Sequence, residues 1–308
     1  MRMAVALLAA STLLAQDPPA IRVDVGLVNV AFTARDARGK LVADLSRDEI
    51  EVLEDGLVQP VQFFGRSAEL PLQFALILDM SGSQNRFNHE HRDDLAAFAA
   101  RALTPVDKAL LICFSNRIRV ASDFTASPLQ LLNGLDQFAK DKTRARMAEL
   151  EPDETRSGGT AFFDAIYHTS RLKMMESGAR KALIVMSDGE DNSSAHDVIE
   201  AIEAAQAADA LIYTVRYTEP RRGRLTSRNR YGTTEMNRLA EETGGTAFDS
   251  SRTDVATALA AVSAELRGLY DLGFATTNPN RDGTFRKLQI RSKRPGVTIR
   301  ARRGYYAR

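Results

Sequence analysis

The sequence predicts an α/β protein built on a doubly wound, mostly parallel sheet. Two observations lead to this prediction: apolar runs alternate with helical stretches in the middle of the chain, and residues alternate between apolar and polar at both ends. Strands that are apolar along their length and separated by amphipathic helices are typical of a parallel sheet covered on both faces. Alternating runs are typical of antiparallel strands with one solvated face. We therefore expect one α/β domain inserted between two β-rich segments.

Composition excludes several classes of protein. The chain has 308 residues, enough for about two ordinary domains, and its 44% hydrophobic and 26% charged residues are typical of a folded globular protein. Its formal net charge of +1 favours neither nucleic-acid nor membrane binding. The single cysteine, Cys113, lies in an apolar run and has no partner for an intramolecular disulfide, so we expect a small buried side chain.

The N-terminus has the pattern of a secretory signal peptide at residues 1–15. Arg2 supplies the early positive charge, an apolar run extends from Met3 to Leu14, and small and polar residues follow. An N-terminal core helix is the alternative. The signal peptide predicts export to the periplasm or the cell exterior. No later stretch approaches the roughly 20 apolar residues that a membrane-spanning helix needs.

Residues 16–68 are predicted to form the N-terminal β segment. Apolar residues alternate from Ile21 to Gly65, with Asp, Gly and Pro between the alternating runs, which indicates about four short antiparallel strands.

Residues 71–269 are predicted to form the α/β domain. Continuous apolar runs predict strands at 72–79, 109–115, 181–188, 210–217 and 245–249. Helical periodicity predicts helices at 91–103, 127–138, 161–176, 195–208, 234–243 and 253–269. The stretch 117–124 follows the second strand closely and is expected to return as an antiparallel edge strand. Because crossovers between parallel strands are almost always right-handed, the sheet should be doubly wound.

Residues 270–308 are predicted to form the C-terminal β segment, with three more alternating strands. Residues 21–60 carry a net charge of −3 and residues 281–308 a net charge of +9, so the two ends are complementary. We expect them to pair into one β-sandwich-like module; two separate β units are the alternative.

Oxygen-bearing side chains follow the predicted strands where a ligand site is expected. In an open parallel sheet, ligands bind beyond the carboxyl ends of the strands. The first strand ends in Asp79, followed by Ser81 and Ser83, and a later strand ends in Asp188. Thr160 follows a pair of glycines at the start of a predicted helix. Two carboxylates and three hydroxyls suit a hard divalent cation, Mg²⁺ most of all, with Mn²⁺ or Ca²⁺ as alternatives. Each residue alone is more often a helix cap than a ligand, but capping does not explain the combination.

The five residues together resemble the metal-ion-dependent adhesion site of the von Willebrand factor type A (VWA) domain. The resemblance rests on Asp-x-Ser-x-Ser at Asp79, Ser81 and Ser83, on Gly-Gly-Thr at Thr160 and on Ser-Asp-Gly at Asp188. It implies that Ser81, Ser83 and one of Thr160 or Asp188 contact the metal directly, that Asp79 acts through water, and that an acidic residue of a protein partner completes the metal shell.

The flanking segments also resemble a secreted acidobacterial family related to the VWA domain. The stretches LEDGLVQPVQFF, YDLGFATTN and RRGYYA support this wider similarity. It implies an exported protein-binding or adhesion module with a β-rich flank and no catalytic residues.

Two other functions stay open at this stage. Mg²⁺-dependent phosphoryl hydrolases of the doubly wound type also begin with an Asp after the first strand, but they need a second Asp two residues later, where this chain has Ser81. A purely structural exported domain is the other alternative.

Two further features of the sequence could contribute to the site: an arginine-rich loop and the histidines. The arginine-rich loop 219–232 follows the strand at 210–217 and is expected either to favour an acidic partner or to be a plain connector. Of the four histidines, His89 and His91 are predicted to be exposed, and His168 and His196 to lie on the surface or to be half-buried.

Overall fold

The computed structural model describes residues 27–66, 70–151, 158–176, 178–218 and 224–307. The predicted signal peptide 1–15 and part of the N-terminal segment, residues 16–26 and 67–68, lie outside the described residues. Within those ranges, the helices all fall short of the length and apolar character needed to cross a membrane.

The N-terminal segment forms the antiparallel strands that alternation predicted. They are β1 (Leu27–Arg35), β2 (Ile50–Glu54), β3 (Leu57–Gln59) and β4 (Val61–Gly65). Pro60 separates β3 from β4, and the two strands belong to different sheets. Because proline has no backbone N–H to donate to a ladder, it suits this point at which the chain changes sheets.

The middle of the chain is an α/β domain, as predicted. Its strands are β5 (Leu72–Asp79), β6 (Lys108–Phe114), β7 (Ile118–Thr125), β8 (Arg180–Ser187), β9 (Ala210–Arg216) and β10 (Ala247–Asp249). Its helices are α1 (Asn88–Ala102), α2 (Pro128–Phe138), α3 (Asp141–Arg144), α4 (Phe162–Lys173), α5 (Val198–Ala207), α6 (Ser227–Thr243) and α7 (Val255–Arg267).

Most predicted element boundaries in this domain agree with the structure to within three residues. The short helix α3 was not predicted, and the start of α6 differs by more. This helix begins at Ser227 rather than at residue 234, inside the predicted loop 219–232. The Thr226 hydroxyl accepts a hydrogen bond from Asn229 N and caps the helix. The helix therefore starts before the apolar residues from which its start had been predicted.

The order of the strands places a ligand crevice beside β5. In the described part of the chain the central sheet runs β10-β9-β8-β5-β6-β7, and β5 pairs in parallel with both β6 and β8. The chain therefore leaves β5 in one direction and later returns to its other side, which creates a topological switch point at its carboxyl end. The edge strand β7 pairs antiparallel with β6, as predicted.

The C-terminal segment contains one strand more than predicted. Its described strands are β11 (Tyr270–Ala275), β12 (Phe285–Ser292), β13 (Thr298–Ala301) and β14 (Gly304–Tyr306). The sequence predicted one strand from residue 297 onward, but the chain turns at Arg302 and Arg303. β13 pairs with β1, and β14 pairs with β12 in another sheet. The two halves of the run therefore belong to different sheets.

Strands from the two ends of the chain pair with one another and build one module. β1 pairs with β11 and β13, and β2 pairs with β12. Apolar residues of both sheets share one core, with Phe32 stacked on Tyr270 at a centroid distance of 5.1 Å. Arg294 of the basic end donates to Glu49 of the acidic end over 2.7 Å, and this hydrogen bond lowers the pKa of Glu49 to about 2.

Candidate metal centre

Asp79 lies at the centre of the candidate site and is fully buried. It is the last residue of β5. Its Oδ1 accepts a hydrogen bond from Ser81 N over 2.9 Å, and its Oδ2 accepts one from Ser187 Oγ over 2.5 Å. Burial raises the pKa of Asp79 to about 6, and the charge of Asp188 adds to the shift, whereas hydrogen bonds from Ser187 and Ser81 oppose it. A buried carboxylate with a like charge nearby is suited to a cation.

Ser81 and Ser83 place two hydroxyls beside this carboxylate. Their Oγ atoms are 3.2 Å apart. Ser81 is the N-cap of a short 3-10 helix, Gly82–Phe87, and Ser83 lies in the first turn of that helix. Ser81 is buried and Ser83 is exposed, so the pair leads from the interior toward solvent.

Asp188 follows the neighbouring strand β8 and comes to the same end of the sheet. It is only 3% exposed, and its Oδ1 accepts a hydrogen bond from Glu190 N over 3.1 Å. Burial raises the pKa of Glu190, and the charge of Asp188 adds to the shift. Negative charge therefore accumulates at this edge of the sheet.

Thr160 is held at this edge by hydrogen bonds to neighbouring loops. Its N–H donates to Asn192 Oδ1 over 2.7 Å, and its carbonyl accepts from Asn192 N over 3.2 Å. Ala161 N donates to the carbonyl of Ser115, directly after β6, over 2.8 Å. Gly159 has φ of +95°, a conformation that glycine adopts without strain, so the paired glycines make the turn possible.

A cleft of about 710 Å³ opens at the edge of the candidate site. Ser83 and Asp188 line it together with Tyr217 and Arg228. The cleft connects the candidate site with solvent.

The five residues predicted from the sequence therefore lie at the carboxyl ends of β5 and β8 and in the turn before α4. Hydroxyls and carboxylates are ligands of hard divalent cations, and two carboxylates balance the charge of one such ion. Buried carboxylate charge close to a second carboxylate is costly without a cation. The side chains present thus fit a divalent metal ion.

Supporting residues were missed by the sequence analysis. Ser187 donates to Asp79, Asn192 holds Thr160, and Asp191 Oδ1 accepts from Phe162 N at the start of α4 over 2.8 Å. The polar run at the end of β8, SDGEDNSS, contains all three of these residues and could have indicated them, but a role was predicted only for Asp188.

His91 corrects one expectation about the histidines. It was predicted to be exposed together with His89, but its side chain is fully buried and packs edge-on against Tyr217 at a centroid distance of 4.4 Å. Burial lowers the pKa of His91 to about 4. The prediction was wrong because the residues around His91 in the sequence, NHEHRDD, are polar and do not show which face of α1 is buried.

The fold and the site together define a class of protein. Its members are doubly wound α/β domains with a cluster of hydroxyl and carboxylate groups at the switch point of the sheet. The model of the von Willebrand factor type A domain matches residues 75–262, more than half of the chain. The chain therefore belongs to the von Willebrand factor type A family. Domains of this family are commonly metal-dependent protein-interaction modules.

Several solved structures are similar to the chain. A von Willebrand factor type A protein from Catenulispora acidiphila is 14% identical, with a TM-score of 0.47, over 93% of this chain and 74% of that one. BatB from Bacteroides thetaiotaomicron is 18% identical, with a TM-score of 0.46, over 63% and 97%. Proximal thread matrix protein 1 of the mussel byssus, with a zinc-occupied MIDAS motif, is 14% identical, with a TM-score of 0.46, over 68% and 48%. No protein with a curated description matches the sequence.

Proposed function

We propose that this chain is an exported protein-binding module that recognises its partner through a divalent metal ion, Mg²⁺ most of all. Asp79, Ser81, Ser83, Thr160 and Asp188 would hold the ion, and an aspartate or glutamate of the partner would complete its shell. The observation that carries the proposal is the pair of buried carboxylates, Asp79 and Asp188, beside hydroxyls that lead into an open cleft.

The ligand set explains why a partner carboxylate would bind. Three of the five groups are neutral hydroxyls, so the ion keeps enough Lewis acidity to attract an external carboxylate. Ser83 is exposed in the cleft, which provides a path from solvent to the ion. Binding should therefore depend on the cation and on an acidic residue of the partner.

Charge around the cleft supports an acidic partner. Arg228, at the start of α6, lines the cleft together with Asp188. Arg224 and Arg230 lie in the same arginine-rich stretch, whereas Arg221 and Arg222 lie outside the described residues. Together with a bound divalent ion, Arg228 would offset the acidic groups of the cleft, steer acidic ligands toward the site and make their binding depend on salt. Arg228→Glu should therefore weaken partner binding and reduce its dependence on salt.

The proposal gives the chain no catalytic activity. A phosphoryl hydrolase needs an acid or base next to its nucleophile, and Asp79 is followed two residues later by Ser81, whose hydroxyl contacts Ser83. The hydrolase alternative predicts turnover of a generic phosphate ester with Mg²⁺, and the structural alternative predicts only a higher melting temperature with the ion.

A capture experiment distinguishes these functions. The mature chain is immobilised, an exported protein fraction is passed over it with Mg²⁺, and bound proteins are eluted with chelator. We expect a specific protein to elute from the wild type and none to elute from Asp79→Ala. The matched control is Asn85→Ala, at an exposed position that lines the cleft. Equal capture by Asp79→Ala, or capture that chelator does not reverse, would contradict the proposal.

A further inference from the structure

A second group of metal-binding side chains lies outside the candidate site described above, where α4 packs against α5. Asp164 and His168 are one helical turn apart on α4, and His196 lies just before α5. One carboxylate oxygen of Asp164 and one ring nitrogen of each histidine lie within 4.8 Å of one another. Residues four apart share one face of a helix, so the backbone of α4 presents two of these groups together.

Asp164 also orients His196. Asp164 is fully buried, and its Oδ1 lies 2.7 Å from Nδ1 of His196. The two atoms share one hydrogen bond. A metal ion bound by both would take the place of its proton, because a ligating imidazole nitrogen must present its lone pair and a ligating carboxylate must be ionised.

The surroundings restrict both rings. Tyr167 stacks on His196 with a centroid distance of 3.6 Å, and His168 Nε2 contacts a carboxylate oxygen of Glu151. The side chains of His168 and His196 are 20% and 23% exposed, whereas Glu151 is buried. The group is thus mostly shielded, with access for an ion past the two imidazoles.

We propose that Asp164, His168 and His196 form a second metal site, which takes zinc or a similar transition-metal ion. Imidazole nitrogen with carboxylate oxygen suits Zn²⁺, whereas Mg²⁺ and Ca²⁺ prefer oxygen ligands throughout. Zinc lies about 2.0–2.2 Å from such ligands, so tetrahedral neighbours are about 3.4 Å apart. Side chains already within 4.8 Å reach that spacing by small rotations. With Glu151 beside them, two carboxylates and two neutral imidazoles balance a divalent charge.

The position of this second site suggests what it does. The loop that ends at His196 begins at Asp188, and its residue Asn192 holds Thr160. A metal bound at the second site would tie the end of this loop to α4. Zinc would then stabilise the loop that begins with one ligand of the proposed oxygen site, Asp188, and that holds another, Thr160.

Cobalt spectroscopy tests the second site separately from the first. Asp79→Asn is used as the background, because it removes a carboxylate of the oxygen site. We expect one equivalent of Co²⁺ to bind with strong visible absorption bands, which nitrogen ligation in a site of low coordination number produces, and Zn²⁺ to displace it. Adding His168→Gln or His196→Gln should weaken Co²⁺ binding at least about tenfold. The matched control is His89→Gln, since the His89 side chain is 85% exposed.

Two results would overturn the proposal. One is the lack of a visible Co²⁺ spectrum in the Asp79→Asn chain, and the other is an unchanged spectrum in both the His168→Gln and His196→Gln variants. Circular dichroism of the metal-free variants would test whether they are folded, and two independent histidine substitutions keep the test valid if one of them disturbs the fold.

Discussion

Thr160 and Asn192 are joined by two hydrogen bonds, one donated by the backbone nitrogen of each residue. Thr160 N donates to the side-chain oxygen of Asn192 over 2.7 Å, and Asn192 N donates to the carbonyl of Thr160 over 3.2 Å. Thr160 lies before α4, and Asn192 lies in the loop that follows Asp188. This pair therefore fixes the relative position of two loops that carry proposed metal ligands.

Asn192→Ala should weaken metal binding. The substitution leaves the N–H of Thr160 without its acceptor and frees the Gly-Gly-Thr turn. Loss of a residue that supports a metal ligand typically costs 10–100-fold in affinity, so we expect a loss of about tenfold in Mg²⁺ affinity by calorimetry. Asn85→Ala, an exposed asparagine of the same cleft, is the control and should bind Mg²⁺ as the wild type does.

The paired glycines should respond differently to the same substitution. A Cβ on Gly159 would lie 2.4 Å from Asn192 Oδ1, and its φ of +95° disfavours a side chain, whereas a Cβ on Gly158 would meet nothing within 4 Å. Gly159→Ala should lower the free energy of unfolding by about 1–3 kcal/mol and weaken Mg²⁺ binding. Gly158→Ala should change either quantity by at most about 0.5 kcal/mol. Chemical unfolding and calorimetry of both variants would show this, and equal effects would contradict it.

Much of the fold could be predicted because buried parallel strands have a strong sequence signal. The run LQFALILD predicted the bounds of β5, Leu72–Asp79, because seven of its eight side chains are buried. The division of the last run into β13 and β14 could not be predicted, since both halves alternate in the same way. Which sheet a short alternating strand joins is decided by its distant partners.

The candidate site was predictable only as far as its residues follow strand ends or a glycine turn. Asp79 and Asp188 end apolar runs, so topology alone brings them to one edge of the sheet. The contributions of Ser187 and Asn192 depend on which side chains face one another across loops, and local sequence does not encode this. The cluster of Asp164, His168 and His196 was not predicted either. Its two histidines are separated by 27 residues along the chain, so only the folded structure brings them together.

Asp79→Asn should remove Mg²⁺ binding while leaving the metal-free chain at least as stable as the wild type. Asparagine has nearly the same shape as aspartate, and it avoids both the burial of a negative charge and the repulsion from Asp188. We expect Mg²⁺ to raise the melting temperature of the wild type but not of the variant. Thermal unfolding with Mg²⁺ and with chelator measures both effects. A metal-free variant that melts well below the metal-free wild type would contradict the expected cost of the buried charge.

His91 should make stability depend on pH below about 6.5. Its pKa is lowered by burial from 6.5 to about 4, so the unfolded chain binds a proton more readily than the folded one. The contribution of His91 to stability is complete above pH 6.5 and is lost as pH falls toward 4, by up to about 3 kcal/mol. His91→Leu should flatten the curve of unfolding free energy against pH in this range. His89→Leu, at an exposed position of the same helix, should leave the curve unchanged.

Glu265 joins the α/β domain to the flanking β module. It is buried near the end of α7, where it accepts a hydrogen bond from Tyr213 of β9 over 2.7 Å. It also pairs with Arg35 of β1, over 2.7 Å, and with Arg300 of β13. One carboxylate thus binds groups from the central sheet and from both ends of the chain.

Glu265→Leu should therefore destabilise the protein strongly. It leaves a buried tyrosine hydroxyl without its acceptor, which costs about 1–3 kcal/mol, and it removes the partner of two arginines, which adds less because their side chains are 35% and 34% exposed. The control is Glu241→Leu, which removes another pair between the domain and the flanking module, Glu241 with Arg303 at 2.6 Å. The side chains of this second pair are 50% and 67% exposed, so its loss should cost about 1 kcal/mol or less. Denaturant unfolding of both variants compares the two junctions, and equal losses would show that burial does not decide their strength.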